Sequence, residues 1–274
     1  MSMHSKATRI TAPAITARKG GEKLVCLTAY TAPVAEILDD KADLLLVGDS
    51  LGMVVHGLPS TVGVTLEMMI MHGKAVARGA ERAMIVVDLP FGTYERSPQQ
   101  AHESASRIMA ETGCQAVKVE ACDGIPETIE FLVGRGIPVL GHVGLRPQAV
   151  NVDGGFRAKG RTETERERVL AEARAVEKAG AFATVVEGVD AAIASEVTAA
   201  LKIPTIGIGA SADCDGQILV TDDMLGMFDW SPKFVRRYAN LREAIGQAAD
   251  GYARDIRAGT FPGEAELYRL KRTK

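Results

Sequence analysis

The sequence predicts a closed (β/α)8 barrel of the TIM type with a C-terminal helical extension. Three observations lead there. Short apolar runs alternate with helix-like segments along most of the 274 residues, and eight such runs can be counted. Four of them end at once in a carboxylate, at Asp49, Asp88, Glu120 and Glu187. Parallel strands joined by helices put all their C-terminal ends on one side, which is where such barrels carry chemistry. Several acids on one mouth suit a hard cation such as Mg2+, or acid–base work.

The strand candidates are 24–30, 44–49, 84–89, 116–120, 138–142, 184–187, 204–208 and 218–220, the last being the weakest. Apolar residues at three- and four-residue spacing predict helices over 66–77, 98–111, 126–133, 163–178 and 191–201. Pro138 and Pro204 mark helix exits, since proline disfavours helix in the residue before it. Residues 232–257 predict one or two further helices that cover the barrel or a neighbour. The organisation expected is one barrel domain over 1–274, with a short N-terminal arm to about residue 20 and C-terminal helices over 232–274.

Composition narrows the function classes. Hydrophobic residues make up 46% of the chain and mean hydropathy is +0.04, enough for a large core. No apolar stretch approaches the ~18–20 residues of a membrane span, and the opening residues lack a signal-peptide apolar region. A formal charge of −3 argues against a nucleic-acid partner. Cys26, Cys114, Cys122 and Cys214 are scattered with no C-x-x-C pair, which fits idle thiols in a reducing cytoplasm.

Among the candidate site residues, Asp49 in VGDSLGM follows a glycine that lets the chain turn, with the Ser50 hydroxyl beside it. It is either a metal ligand or substrate contact, or the cap of the next helix. Asp88 in VDLPFG has the same choice, but Pro90 and Gly92 predict a rigid turn there. Two aspartates at adjacent strand ends together favour a metal. Lys118 and Glu120 share the inward face of their strand while Val117 and Val119 face the helices. They form a structural ion pair, or a cation for an anionic substrate beside a carboxylate near a metal. Glu187 is a partly desolvated carboxylate suited to general-base work, or a helix-start charge. His142, flanked by glycines that leave room beside its ring, donates to a substrate oxygen or is a buried structural histidine.

Three weaker features remain open. GIGAS at 207–211 is a phosphate cradle or a tight turn. Arg157, Lys159 and Arg161 lie in GGFRAKGR, a solvated loop or an anion-binding lid. Met68, Met69 and Met71 are core or subunit contact.

LTAYTAPVAEIL, VGDSLGM, VDLPFGTY, AVKVE, GIPVLGHVGLRPQ, GGFRAKGR, VVEG, IPTIGIGAS with DGQILV, and FPGE together resemble the ketopantoate hydroxymethyltransferases. The motifs run in family order over residues 18–264, nearly the whole chain. The resemblance implies a Mg2+-dependent barrel enzyme, a homodecamer, at the first committed step of pantothenate synthesis. It would move a hydroxymethyl group from 5,10-methylenetetrahydrofolate to the 2-oxo acid 3-methyl-2-oxobutanoate, giving 2-dehydropantoate. It also implies that Asp49 and Asp88 bind the metal with Glu120 as third carboxylate through water. Ser50, Asp88 and Lys118 would contact the oxo acid, and Glu187 would be the general base.

The departures from the family pattern are local: Thr31 where many members have Asp, Ala121-Cys122 for a GG pair, and Ser211 to Cys214 for a glycine turn. None removes an expected ligand. The competing expectations are a phosphoenolpyruvate mutase or isocitrate lyase relative acting without folate, and a barrel that has lost catalysis and serves in ligand binding or assembly.

Overall fold

Along most of the apolar runs, successive residues enter two different apolar layers, and this alternation builds the barrel. In the computed structural model, residues 9–269 are described. β1 (Leu24–Thr28), β2 (Leu44–Val47), β3 (Met84–Asp88), β4 (Ala116–Lys118), β5 (Val139–Gly144), β6 (Ala183–Glu187), β7 (Thr205–Ile208) and β8 (Gly216–Leu219) pair in sequence order, and β8 closes on β1. Every pairing is parallel. Leu44, Leu46, Met84, Val86, Val185 and Ile206 fill the interior. Leu45, Val47, Ile85, Val87, Val117 and Val186 lie in the second layer, beneath the helices.

The helices are α1 (Ala12–Thr16), α2 (Ala32–Leu38), α3 (Leu51–Val54), α4 (Leu66–Gly79), α5 (Pro98–Thr112), α6 (Ile125–Val133), α7 (Val150–Asp153), α8 (Glu163–Lys178), α9 (Ala191–Ala200), α10 (Thr221–Met224) and α11 (Leu241–Ala258). Three of the long ones start on hydroxyl caps: Thr65, Ser97 and Thr162 accept from the N–H three residues on.

Four strands are shorter at the mouth than expected, by one or two residues, at 28, 47, 88 and 118 rather than 30, 49, 89 and 120. At β2 the cause is local, since the Asp49 N–H goes to the Asp88 side chain; past the other three ends Ala29, Leu89 and Val119 still donate to Leu46 O, Lys118 O and Leu140 O of the neighbouring strand. β5 runs to Gly144, and β8 begins at Gly216 because it pairs with both Leu24 and Ile206. A Cβ on Gly216 would meet Leu24 O at 2.7 Å, so only glycine fits that approach.

The chain divides into two compact units, the barrel ending at Thr221 and a second unit beginning at Asp222. In the second unit, 232–257 yields one long helix, α11. Leu241, Ile245, Ala248, Tyr252 and Ile256 recur on it at helical spacing, yet no residue of α11 is buried. Residues 1–8 of the expected N-terminal arm, and 270–274 at the other end, lie outside the described residues. Among the described residues no helix is long and apolar enough to cross a membrane.

Candidate active site

Two aspartates meet at the barrel mouth through a backbone contact. Past the end of β2 the chain bends at Gly48, and the Asp49 N–H donates to Asp88 Oδ2 at 3.0 Å. Gly48 is not among the glycines with positive φ, so what it supplies is room. A Cβ there would sit 2.8 Å from Ser50 Oγ and 3.6 Å from Asp88 Oδ2. Ser50 shares a 2.8 Å hydrogen bond with Tyr30 Oη. It is Ser50, not Asp49, that holds the N-cap position of α3. Asp88 leads into the expected turn, closed by the Thr93 hydroxyl donating to Pro90 O at 2.6 Å.

Asp88 and Lys118 are register partners on β3 and β4. Lys118 Nζ donates to Asp88 Oδ1 at 2.9 Å, with both side chains buried. The ion pair therefore runs between strands and not from Lys118 to Glu120. Glu120 lies two residues past β4, still on the inward side and buried, as the alternation required.

His142 on β5 stands between two carboxylates. Its Nε2 is 3.3 Å from Glu187 Oε2 and its Nδ1 is 3.9 Å from Glu120 Oε1. The ring is 1% exposed and neither nitrogen has a hydrogen-bond partner of good geometry. Buried ring nitrogens in that condition point to a polar ligand as their partner. The neighbouring glycines do not serve the ring, contrary to expectation. A Cβ on Gly141 would strike Val176 of α8, and one on Gly144 would strike the Glu187 carbonyl. Glu187 ends β6 and keeps 20% of its side chain exposed, whereas Asp49, Asp88 and Glu120 are nearly closed off. Asp190, not Glu187, caps α9.

Pattern reading missed Tyr94 and Gln148, both buried in the same cluster. Gln148 Nε2 donates to Asp49 Oδ2 at 2.8 Å, and its backbone N–H donates to the Glu120 carboxylate at 3.2 Å. Tyr94 Oη donates to Gln148 Oε1 at 2.7 Å. Neither residue ends a strand; the one available signal was their place inside VDLPFGTY and GLRPQ.

The charges do not balance. Burial, then the neighbouring Asp88, pushes the Asp49 carboxyl up to about 7. Burial, then Asp49, raises Glu120 well above the usual carboxylate range. Burial would lower Lys118, but Asp88, Asp49 and Glu120 outweigh it and hold the ammonium above its ordinary value. Three buried carboxylates thus face one buried cation, a surplus that a hard divalent ion would offset. Among the described residues no group of three or more His, Cys, Asp or Glu side chains is arranged to hold a metal by itself. Mg2+ commonly takes only one or two carboxylates and fills its octahedron with water and substrate oxygens, and Asp49 with Asp88 fits that donor set.

The weaker features resolve in part. Ser211 Oγ bonds to Ser195 Oγ at 2.8 Å and accepts from the Asp213 N–H at 3.2 Å, a closed turn with an acid in it, unlike a phosphate cradle. The basic loop is strapped to the strand end: Lys159 N donates to Gly188 O at 2.7 Å, and its ammonium pairs with Asp153 at 2.9 Å. Met69 is core, while Met71 is 55% exposed. The four cysteines are free thiols.

The chain matches the ketopantoate hydroxymethyltransferase family over residues 9–264. The chain belongs to this family. A 3-methyl-2-oxobutanoate hydroxymethyltransferase of Phenylobacterium zucineum (strain HLK1) is 67% identical over 273 residues, covering 99% of each chain. As a member of the ketopantoate hydroxymethyltransferases it is an enzyme, a transferase of the one-carbon hydroxymethyl type, which removes the expectation of a barrel without catalysis. Among solved structures, a phosphonopyruvate hydrolase aligns with TM-score 0.61 and 15% identity over 96% of this chain and 93% of that one. A 2,3-dimethylmalate lyase of the PEP mutase/isocitrate lyase superfamily aligns with TM-score 0.60 and 14% identity, over 95% and 89%. These last two share the barrel plan with a ketopantoate hydroxymethyltransferase and, at such identity, nothing finer.

Proposed function

We propose that this enzyme transfers a hydroxymethyl group from 5,10-methylenetetrahydrofolate to 3-methyl-2-oxobutanoate, with Mg2+, giving 2-dehydropantoate on the way to pantothenate. The observation that carries the reading is the mouth cluster: a closed-off group of acids around Lys118, with His142 and the more open Glu187 beside it.

Asp49 and Asp88 would hold Mg2+, with Glu120 as a third carboxylate through water. When bound, the ion supplies a Lewis acid that draws electron density from the keto group and acidifies the C3 hydrogen of the oxo acid. Lys118 offsets the charge of the substrate carboxylate, and Ser50 and Asp88 contact the same molecule. Glu187 takes the C3 proton, because it is the strand-end acid still open to the mouth. His142, whose ring nitrogens make no well-formed hydrogen bond within the protein, donates to a substrate oxygen beside Glu187. The deprotonated C3 then attacks the methylene carbon carried by the folate as one of its C–N bonds breaks; water supplies the hydroxyl oxygen at that carbon as the second C–N bond breaks, leaving 2-dehydropantoate and tetrahydrofolate.

Free thiols support a reducing, cytoplasmic setting. A homo-oligomer, decameric as in the family, is supported by apolar side chains left in water: Val25 on β1 at 47%, Met71 at 55%, and Ile245 and Tyr252 of α11 at 50% and 58%. Product formation with and without methylenetetrahydrofolate tests the reaction. Turnover of the oxo acid that ignores folate would contradict it.

A further inference from the structure

Gln148 joins parts of the site that lie far apart in the chain, and its side-chain amide can take only one orientation. Leu89 O, 3.0 Å away, can only accept, so the –NH2 end faces it. The same –NH2 donates to Asp49 Oδ2 at 2.8 Å. At the other end Oε1 accepts from Tyr94 Oη at 2.7 Å. The tyrosine oxygen accepts the Glu120 N–H at 3.3 Å, which leaves its proton for Gln148. Tyr94 and Gln148 are 2% and 7% exposed, so bulk water does not compete for these bonds.

A carboxylate at a strand end can rotate about its side-chain bonds, and a ligand that rotates must be ordered each time a cation binds. A fixed donor on Oδ2 restricts that freedom. We propose that Tyr94 and Gln148 are a positioning pair: Tyr94 sets the amide, the amide sets the Asp49 carboxylate, and the carboxylate so held determines the affinity for a divalent cation. The proposal rests on the reading of Asp49 as a metal ligand. Outer partners of ligating groups commonly matter by about 10–100-fold in metal affinity. Without the tyrosine hydroxyl, Oε1 loses its donor and the amide is held only at its –NH2 end, by Leu89 O and Asp49 Oδ2.

The test uses the full chain without substrates and Mn2+ as probe, with free Mn2+ counted by electron paramagnetic resonance. Gln148→Met keeps the side-chain length and removes the donor; Tyr94→Phe keeps the ring. Gln148→Met should weaken Mn2+ binding about 10–100-fold and Tyr94→Phe by a smaller factor. The double variant should be little weaker than Gln148→Met alone, because the tyrosine hydroxyl reaches Asp49 through the amide. Thermal unfolding in EDTA separates positioning from structure. Unchanged Mn2+ affinity in Gln148→Met, whatever its melting temperature, overturns the proposal, as do additive losses in the double variant. Asp49→Asn, run in parallel, isolates the underlying reading. If it too leaves affinity unchanged, Asp49 is no ligand and both ideas fall; if it abolishes binding while Gln148→Met does not, only the positioning pair falls.

Discussion

Lys118 and Asp88 are register partners on neighbouring strands, and their 2.9 Å ion pair is buried at both ends. Of the three buried acids, Asp88 is the one in direct contact with the lysine. Asp49 and Glu120 are the two carboxylates pushed upward, by burial first and then by a neighbouring acid, Asp88 for Asp49 and Asp49 for Glu120.

The two metal-side aspartates should therefore differ in stability while agreeing in activity. Asp88→Asn leaves Lys118 buried without its partner's charge, a loss of up to about 3–5 kcal/mol when such a pair is broken. Asp49→Asn relieves repulsion, so in EDTA it should melt no lower than the parent. Both should lose Mg2+-supported turnover. Thermal unfolding in EDTA beside a product assay decides; equal melting losses would mean that Lys118 is not tied to Asp88, and near-normal turnover of both would remove the metal assignment.

Metal and protons should compete at this site near neutrality. Asp49 titrates at about 7 when folded and metal-free, against an ordinary value of 3.8. A raised folded value means that the contribution to stability is full below the unfolded pKa and is lost as pH rises through about 7. Mg2+ offsets the charge that develops there. The rise in melting temperature on adding saturating Mg2+ should be larger at about pH 8 than at about pH 6, and calorimetry in buffers of different ionisation heat should record proton release on binding. An increment independent of pH would show that Asp49 does not titrate in this range.

Much of the architecture was legible because a parallel barrel writes its layers into every strand. Leu44 and Leu46 fall on one side and Leu45 and Val47 on the other, and the strand-end acids mark the mouth directly. Lys118 and Glu120 pointed inward as their spacing required. What local pattern does not carry is partner choice across the mouth. Lys118 pairs with Asp88 and not with Glu120, which depends on the register between strands. Gln148 reaches Asp49 from 99 positions away, a contact that exists only once β2 and β5 face the same mouth. The end of β2 was overextended for the same reason, since Gly48 still looks like a strand residue in isolation while the next N–H goes to Asp88.

Assembly should be visible without any assay of activity. α11 has no buried residue although Ile245, Tyr252 and Ile256 recur along it, so the folded chain carries apolar area that a second copy can cover. Sedimentation at micromolar concentration should show a particle several times the 29.1 kDa chain. A single species at chain mass would contradict this. Charged substitutions at Ile245 and Tyr252 should shift the distribution toward smaller particles.

As proposed, this one mouth holds every group needed to take the C3 proton from a 2-oxo acid, and that sufficiency is open to direct test. It is tested by following the C3 proton signal of 3-methyl-2-oxobutanoate in D2O by NMR, with Mg2+ and without folate, EDTA serving as the metal-free control. Exchange should proceed in the parent enzyme and stop in EDTA. In Glu187→Gln, which keeps size but cannot accept the proton, exchange should fall on the order of 10²–10⁴-fold. Lys118 and the proposed metal site would still hold the oxo acid in that variant, so substrate binding should change little. Exchange at the parent rate in Glu187→Gln would contradict the account and move the base to another residue.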